Sequence, residues 1–413
     1  MSVNNMTIEQ GAAILSLIVK QMSGDQLATV GVGDITSVGQ NALLTSYDPL
    51  NSAVSQVLGR TIVSNRPYTG QLKSLMKSDT MWGGMIRKLN FIDGVLEDGQ
   101  SLYITGTTPY SDGDVPSPDQ YAIRKQAVWQ SNFYGSYLVQ RVMTRWISQL
   151  RSAFDSPEAW TEFLAGQMQN LNNELEEVGD ARARQALLNY IGGKIVLETD
   201  GDAATHVVHL FTDYMSDTGV TLTTATYRSP SNYKPFVEWL YAKIATLVQY
   251  MAERGYRYNF SPTIGGAKRH IKRATPKSLI RGYFISEAYN QIQSMAISEV
   301  FNADRLKMVE LAPINFWQSS DDPYNIDVEV TVNDTSVNIL GPTTNDLKTD
   351  AVKTTAPVLG VLFDDEAVGI SVKEESILTT AVHITGQYTN TAYNFRYGVY
   401  NDFTESGVVL MLD

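Results

Sequence analysis

DSPEAWTEFLAGQMQNLNNELEEVGDARARQALLNYIGG, residues 155–193, is the stretch on which the fold turns. Asp155-Ser156 supplies a small polar cap, and Pro157 stands in the first turn, where a missing N–H costs nothing. Leu164, Met168, Leu171, Leu175 and Val178 recur at spacings of four, three, four and three, which draws one apolar stripe. Gly192-Gly193 is expected to end the helix, because glycine accepts the left-handed conformation that closes one. A helix of about 35 residues is on the order of 50 Å long, well beyond the dozen or so usual in a globular domain.

Working outward toward the N-terminus, the helix is fed by a long extended segment. Met81 to Phe91 reads as a strand, and a ribbon runs from there to about Val142. Ser101-Leu102-Tyr103-Ile104-Thr105 alternates at period two, and Tyr121 to Tyr137 again has strand character. Between them lies a turn-rich acidic tip with Asp112, Gly113, Asp114, Pro116, Pro118 and Asp119. A hairpin this polar is not stable alone in water, so it must lie on something. Residues 1–80 read as weakly linked apolar-faced pieces. A capping-box pattern (Thr7, Gln10) precedes a helix with Ile14, Leu15, Leu17, Ile18 and Met22. A Gly/Ser/Thr-rich stretch (Val30 to Thr45) follows, then short helices near Leu50–Leu58 and Tyr68–Met76. An ordinary helical subdomain and an arm that docks on a neighbour both fit.

Toward the C-terminus, Lys194 to Thr224 has strand character at Ile195-Val196-Leu197 and at Val207-Val208-His209-Leu210-Phe211. A second helix is expected from Tyr233 to Arg254, with Pro235 in its first turn and Gly255 at its end. Its stripe is Phe236, Leu240, Ile244, Leu247 and Met251; a core-facing role fits better than a coiled coil. Arg281 to Ser286 reads as a buried strand, Glu287 to Phe301 as a helix, and Met308 to Phe316 as a strand. Residues 319–357 look like a surface β-hairpin insert. Strands over Gly360–Lys373 and Thr379–Leu412 finish the chain, and there is no internal repeat.

Composition narrows the function. The 413 residues are 43% hydrophobic and 10% aromatic, enough to bury a core. Twenty-two tyrosines with only 18% charged residues suit either extensive subunit contact or a β-rich protein. The net charge of −12 disfavours a sequence-specific nucleic-acid reader, yet suits a surface lying beside DNA without sticking to it. No cysteine is present, which excludes disulfides, thiolate nucleophiles and Cys-based zinc sites. Met1 to Gln10 has no basic residue, so no signal peptide is expected, and Ala12–Val19 is too short to span a bilayer.

Catalytic constellations are absent. His206 and His209, three apart in an expected strand, fall on opposite faces rather than on one metal; His270 and His383 stand elsewhere. No nucleophile elbow, zinc-protease or phosphate-loop pattern occurs. Asp364-Asp365-Glu366 fits a turn between strands better than a cation site. The one basic cluster is Lys268, Arg269, His270, Lys272, Arg273, Lys277 and Arg281. It admits three readings: a solvated loop, phosphate contact, or pairing with acidic groups of a neighbouring copy.

The order of helical arm, extended hairpin, long helix, sheet, second helix and terminal strands resembles the tailed-bacteriophage major capsid proteins of the Hong Kong 97 fold. Within them, the phi-29-like podovirus subunits are the most similar. Three runs carry the resemblance. The first is Gln120 to Ile191, with Phe154-Asp155-Ser156, Trp160, Phe163, Asn172-Asn173-Glu174-Leu175-Glu176-Glu177 and Ala186-Leu187-Leu188-Asn189-Tyr190-Ile191. The second is Gly282 to Ile314 with Phe301-Asn302-Ala303-Asp304-Arg305. The third is Val361-Leu362-Phe363-Asp364-Asp365-Glu366-Ala367-Val368, continuing to Tyr393-Asn394-Phe395-Arg396-Tyr397.

The resemblance implies an α+β fold in six parts. These are an N-terminal arm and the strand after it (1–87), an extended loop (88–142), a peripheral domain (143–232) with spine helix 156–192, an axial domain (233–320), a surface β insert (321–358) and returning strands (359–413). It implies a non-enzymatic head protein, without cofactor or metal, assembled in the host cytoplasm and residing in the virion. Its implied partners are itself in hexamers and pentamers, a scaffolding protein, a portal protein and double-stranded DNA bound without sequence specificity, with no membrane. Tyr103, Tyr110, Asp112, Asp114 and Tyr121 become the expected inter-subunit contacts of the loop, and Lys268, Arg269, Lys272 and Arg273 a loop facing DNA or a neighbour. No C-terminal immunoglobulin-like domain is expected, and no lysine–asparagine cross-linking pair can be assigned. Two alternatives stay open: a nanocompartment shell of the same fold, and a β-rich hydrolase using carboxylates such as Asp364 and Glu366.

Overall fold

A glycine pair that should have ended the long helix instead lies inside it. In the computed structural model the helix spans Pro157–Thr199, and the stop falls at Gly201, whose φ of +73° is the left-handed closure. Gly192 and Gly193 serve a different need. A Cβ on Gly192 would stand 2.8 Å from Val330 Cγ1, and one on Gly193 would enter the Phe403 ring. The glycines admit neighbours that press against the helix backbone, and the intact hydrogen-bond ladder carries the helix past them. Ile195-Val196-Leu197 is therefore helical, not a strand.

The structure describes residues 8–23, 29–45, 72, 75, 86–91, 128–133, 137–201, 204–264, 267–268, 270–291, 310–333, 347–354 and 356–413. The ribbon tip and the helix expected near Leu50–Leu58 lie outside them, as do the side chains of Leu164, Met168 and Leu171; of Tyr68–Met76 only Leu72 and Leu75 are described, both buried. The helices are α1 (Ile8–Ser23), α2 (Ile35–Thr45), α3 (Ile147–Ala153), α4 (Pro157–Thr199), α5 (Leu210–Thr218) and α6 (Tyr233–Ala252). Residues 286–291 are also helical. The strands are β1 (Ile86–Phe91), β2 (Val128–Phe133), β3 (Tyr137–Trp146), β4 (Val207–His209), β5 (Thr263–Ile264), β6 (Ala267–Lys268), β7 (Ile280–Ile285), β8 (Glu310–Ile314), β9 (Asp327–Asn333), β10 (Leu347–Lys353), β11 (Val358–Asp364), β12 (Val368–Thr379), β13 (Tyr388–Asn401) and β14 (Gly407–Met411).

The chain divides into two compact units, each assembled from three segments. The first holds residues 1–85, 134–187 and 368–400. Its sheet has the order β12-β13-β3. β3 pairs antiparallel with β13 from Tyr137↔Tyr397 to Trp146↔Tyr388, so residues 137–142 belong to this sheet and not to the ribbon. A second cluster packs α1 (Ile14, Leu15, Ile18), Ile35 of α2 and Leu150 of α3 around Phe154 and Trp160. Those two rings stack with centroids 4.5 Å apart, and the Trp160 indole N–H donates to the Gly11 carbonyl at 3.3 Å. The Gly/Ser/Thr-rich stretch after α1 is not a plain linker: it folds into a 3-10 turn (Val32–Asp34) and α2. Burial of Ile35 supplies what its helix propensity lacks.

The second unit holds residues 86–133, 188–367 and 401–413. Its five-stranded sheet has the order β4-β14-β11-β7-β8, with β11 antiparallel to β14 and β7, and parallel pairs at β14–β4 and β7–β8. Every residue of β11 and β14 is buried, as near-continuous apolar runs require. On this sheet lies α6, whose expected stripe Phe236, Leu240, Ile244, Leu247 and Met251 is wholly buried. Leu210-Phe211 turn into α5 rather than extending β4, and pack under α6 with Tyr214. The expected insert is a hairpin in which β9 and β10 pair from Asp327↔Lys353 to Asn333↔Leu347. Leu240, 2% exposed, should be costly to truncate: Leu240→Ala is expected to lower unfolding stability by about 3 kcal/mol, read as a shift in the urea midpoint of the unassembled subunit.

Candidate functional site

The ribbon's root is where the structure concentrates charge. β1 and β2 pair antiparallel from Ile86↔Phe133 to Phe91↔Val128, so the chain leaves at Phe91 and returns at Val128 side by side. Alternation along β1 puts Lys88 and Asn90 on one face while Leu89, 51% exposed, points away. That inner face meets the polar loop that joins β13 to β14, Asp402-Phe403-Thr404-Glu405-Ser406.

The contacts form a closed network in the second unit. Lys88 Nζ pairs with Asp402 Oδ2 at 2.7 Å and with Glu405 Oε1, and reaches Glu366 Oε2 at the rim at 3.7 Å. Arg273 Nη2 pairs with Glu405 Oε1 at 3.0 Å and donates to Asn90 Oδ1, while its Nε donates to the Thr404 carbonyl at 3.2 Å. Asn90 Nδ2 donates to Thr404 Oγ1 at 3.2 Å. The Thr404 amide and hydroxyl both donate to Asp402 Oδ1, at 2.9 and 2.6 Å, which holds the loop in a tight turn. Asn90, Asp402, Thr404 and Glu405 are all buried, so each charge depends on its partner.

The electrostatics follow from that burial. Desolvation pulls the Lys88 ammonium toward neutrality, but the Asp402 and Glu405 carboxylates outweigh it, and its pKa lies above the ordinary lysine value. Glu405 moves up as well: burial favours its protonated form, and Lys88 and Arg273 offset this only in part. The two directions are compatible because Glu405 is the more deeply buried partner, 7% against 23% exposed, and it shares Lys88 with Asp402. Behind the loop, Phe403 stacks on Tyr190 of α4 with centroids 5.5 Å apart and planes 2° apart. Burial, then Asp402, Asp364 and Glu405, push the Tyr190 phenol well above its usual range. The glycine face of α4 admits Phe403, Phe403 fixes residues 402–405, and these hold β1.

Several residues singled out from sequence have different surroundings. Tyr103, Tyr110, Asp112, Asp114, Tyr121 and Arg269 lie outside the described residues. Lys268 is on β6, facing Thr263 across a two-residue ladder. Lys272 is exposed, and Arg273 is drawn inward to Glu405 and Asn90 rather than outward to a polyanion. The histidines are dispersed. His206 is buried with Nδ1 3.4 Å from Lys194 Nζ; His209 Nδ1 lies 2.8 Å from Asp413 Oδ2; His270 stacks on Tyr256, and His383 on Tyr388. Asp364-Asp365-Glu366 is a turn: the Ala367 amide donates to the Asp364 carbonyl at 2.8 Å, and Asp364 Oδ2 accepts from Thr275 Oγ1 at 2.7 Å. Among the described residues no helix is long and apolar enough to cross a membrane. The clamp itself was not legible: Lys88 reads as one position of an alternating strand, and nothing local ties it to residues more than 300 positions away.

The α+β arrangement of paired β1 and β2, long helix and mixed sheet fits the Hong Kong 97-like fold expected from element order. Among solved structures, the capsid structure of Staphylococcus phage Andhra aligns at 9% identity with a TM-score of 0.48, covering 82% of this chain and 83% of that one. The structure of head fiber and inner core protein gp22 of native bacteriophage P68 aligns at 8% identity and 0.47, covering 83% and 85%. The mature capsid of bacteriophage PhiM1 aligns at 10% and 0.39, covering 84% and 87%. A comparison with curated protein sequences gives no match. Residues 116–411 match the Phi29-like phage major capsid protein family. That span takes in the return strand of the hairpin, the long helix, both sheets and the polar loop of the clamp, and the chain belongs to the Phi29-like phage major capsid protein family.

Proposed function

We propose that this major capsid protein closes its shell by laying residues 92–127 of each copy on a neighbour, in hexamers and pentamers that enclose double-stranded DNA without reading its sequence. The observation that carries this reading is the clamp. Two cations and two buried carboxylates fix the point and direction from which 36 residues depart, and such rigidity matters when the segment must meet a surface outside its own fold. In this reading residues 143–232, with the long helix, take the peripheral role and residues 233–320 the axial role at capsomer centres, and Tyr103, Tyr110, Asp112, Asp114 and Tyr121 make the loop's contacts. The protein has no catalytic task; it assembles in the host cytoplasm on a separate scaffolding protein, joins a portal at one vertex and ends in the virion.

Deletion of Gly106 to Pro118 tests it. The deleted chain is expected to keep its circular dichroism spectrum and urea midpoint while particle yield on a sucrose gradient falls by at least about tenfold, the effect of removing a central contact. Shells of normal number and shape by electron microscopy would sink the role given to the loop. Recovery of nuclease-protected DNA from wild-type particles tests the cargo, and protein-filled particles would favour a nanocompartment.

A further inference from the structure

The three-stranded sheet of the first unit, β12-β13-β3, carries its arginines on the covered face and its bare apolar side chains on the open one. Alternation along β3 sends Arg141 and Arg145 to the covered face. Arg145 is buried and donates to Thr391 Oγ1 at 3.1 Å and to the Tyr393 hydroxyl at 2.9 Å. Arg141 Nε pairs with Glu174 Oε2 of α4 at 2.5 Å. Leu138, Val142 and Trp146 alternate to the opposite face and are exposed. Thr379 Oγ1 meets the buried Thr391 Oγ1 on the covered side, so the adjacent Leu378 lies on the open one. Among the described residues, the three most exposed large apolar side chains all belong to this sheet and its connecting turn: Ile384 at 89%, Leu378 at 63% and Leu138 at 59%. Ile384 stands in the turn that joins β12 to β13, and that turn is held in one shape. The Gly386 amide donates to His383 Nδ1 at 3.0 Å, the Gln387 amide donates to the His383 carbonyl at 2.8 Å, and the imidazole stacks on Tyr388 with centroids 5.0 Å apart.

We propose that this open face, with the Ile384 turn at its end, is a docking surface for a second copy of the chain. The inference rests on the reading that copies of this chain close a shell, and it names one surface they use. Folding in water alone favours the opposite arrangement, because a buried arginine needs partners and an exposed leucine gains nothing. The arrangement becomes favourable once the open face is covered. Charge identifies the occupant. Positions 140, 142, 144 and 146 of β3, 388, 390, 392 and 394 of β13 and 376 and 378 of β12 share that face and hold no charged residue, in a chain of net charge −12. Copies repel where their acidic surfaces meet, and an uncharged face is where they approach without that cost. Such a face also offers nothing to a phosphate backbone, which binds through Lys and Arg. Three strands and about nine residues per strand cover roughly 400 Å², about half of what each partner buries in a stable complex. The contact therefore holds only beside the other contacts of a shell, and the unassembled subunit stays single. A turn already held in shape gives up little conformational freedom when its isoleucine docks.

Photocrosslinking tests the surface. A chain with p-benzoylphenylalanine in place of Leu378 is co-expressed with wild type, so that mixed particles form. Irradiated particles are expected to yield a product of twice the subunit mass, with residue 378 joined to a peptide of this chain, and unassembled subunits at the same concentration to yield none. Particles that give only single-mass chains overturn the proposal, as does a crosslink to a different protein. A crosslink within one chain in unassembled subunits would show that the chain covers its own sheet, and overturns it too. Leu378→Glu with Ile384→Glu reads the energetics: both side chains are exposed, so circular dichroism and the urea midpoint should match wild type while particle yield falls by about tenfold or more. A double variant that folds and assembles normally counts against the surface, and if it fails to fold the crosslink decides. Failure at the two levels is separable. Wild-type particles in which residue 378 captures no second copy remove only this surface, whereas a wild-type chain that forms no particles removes the shell reading beneath it.

Discussion

Gly193→Ala should destabilise the protein, and Gly193→Leu should cost about 3 kcal/mol. The alanine variant is the sharper measurement because two effects oppose. In a solvated helix interior, glycine to alanine stabilises by about 1 kcal/mol. At residue 193 a Cβ enters the Phe403 ring and stands 2.9 Å from Val332 Cγ1. Phe403 is buried and stacked on Tyr190, so it has nowhere to go without moving Asp402 and Thr404, its neighbours in the clamp. Sterics should therefore win. Urea denaturation of the unassembled subunit reads the sign, and a midpoint at or above wild type for Gly193→Ala would show that the glycine is incidental. Particle yield should fall with stability, since displacement of residues 402–405 loosens the root of the ribbon.

Lys88→Met is the second large effect, and it depends on pH. The methionine keeps the length of the side chain but leaves Asp402 and Glu405 buried, with Arg273 still paired to Glu405. Breaking one side of such a cluster is expected to cost about 3 kcal/mol at pH 7.5. Glu405 already has a raised pKa in the fold, and loss of Lys88 removes one of the groups that lowers it. A carboxyl whose folded pKa lies above its unfolded value binds more protons when native. Its contribution is fully favourable below the unfolded carboxylate range and is lost as pH rises through the folded pKa. The deficit of Lys88→Met should therefore shrink when stability is measured at pH 5, and adding Glu405→Gln should recover part of it at pH 7.5. Equal melting temperatures for wild type and Lys88→Met across that range would refute the clamp. A deficit independent of pH would mean that the lost packing of the lysine stem, and not its charge, matters.

Local signals in the sequence carried the elements whose own residues hold the reason for their conformation. Pro157 at a helix start, the Phe236-to-Met251 stripe, the apolar runs of β11 and β14 and the turn at Asp364-Asp365-Glu366 each depend on neighbours within a few positions, and each stands where that chemistry places it. Where the sequence signal was weak or wrong, the cause is shared. Ile195-Val196-Leu197 has strand-forming side chains yet continues α4, and the Gly/Ser/Thr-rich stretch Val30–Thr45, whose residues signal no element, contains α2, because burial against distant segments outweighs intrinsic propensity. Arg273 looked like part of a solvent-facing basic loop; the Glu405 carboxylate, brought near by β14, turns it inward.

The sequence by itself determined the long helix, the second helix with its buried stripe and the apolar terminal strands, because hydrophobic periodicity is a property of the chain in one dimension, and its order of elements carried the resemblance that the match over residues 116–411 bears out. Only the tertiary structure decided what Gly192 and Gly193 are for, and that Lys88, Asn90, Arg273, Asp402, Thr404 and Glu405 form the root from which the ribbon departs. Those groups are separated by up to more than 300 residues, and a buried charge acquires its meaning only from the partner that folding brings within reach.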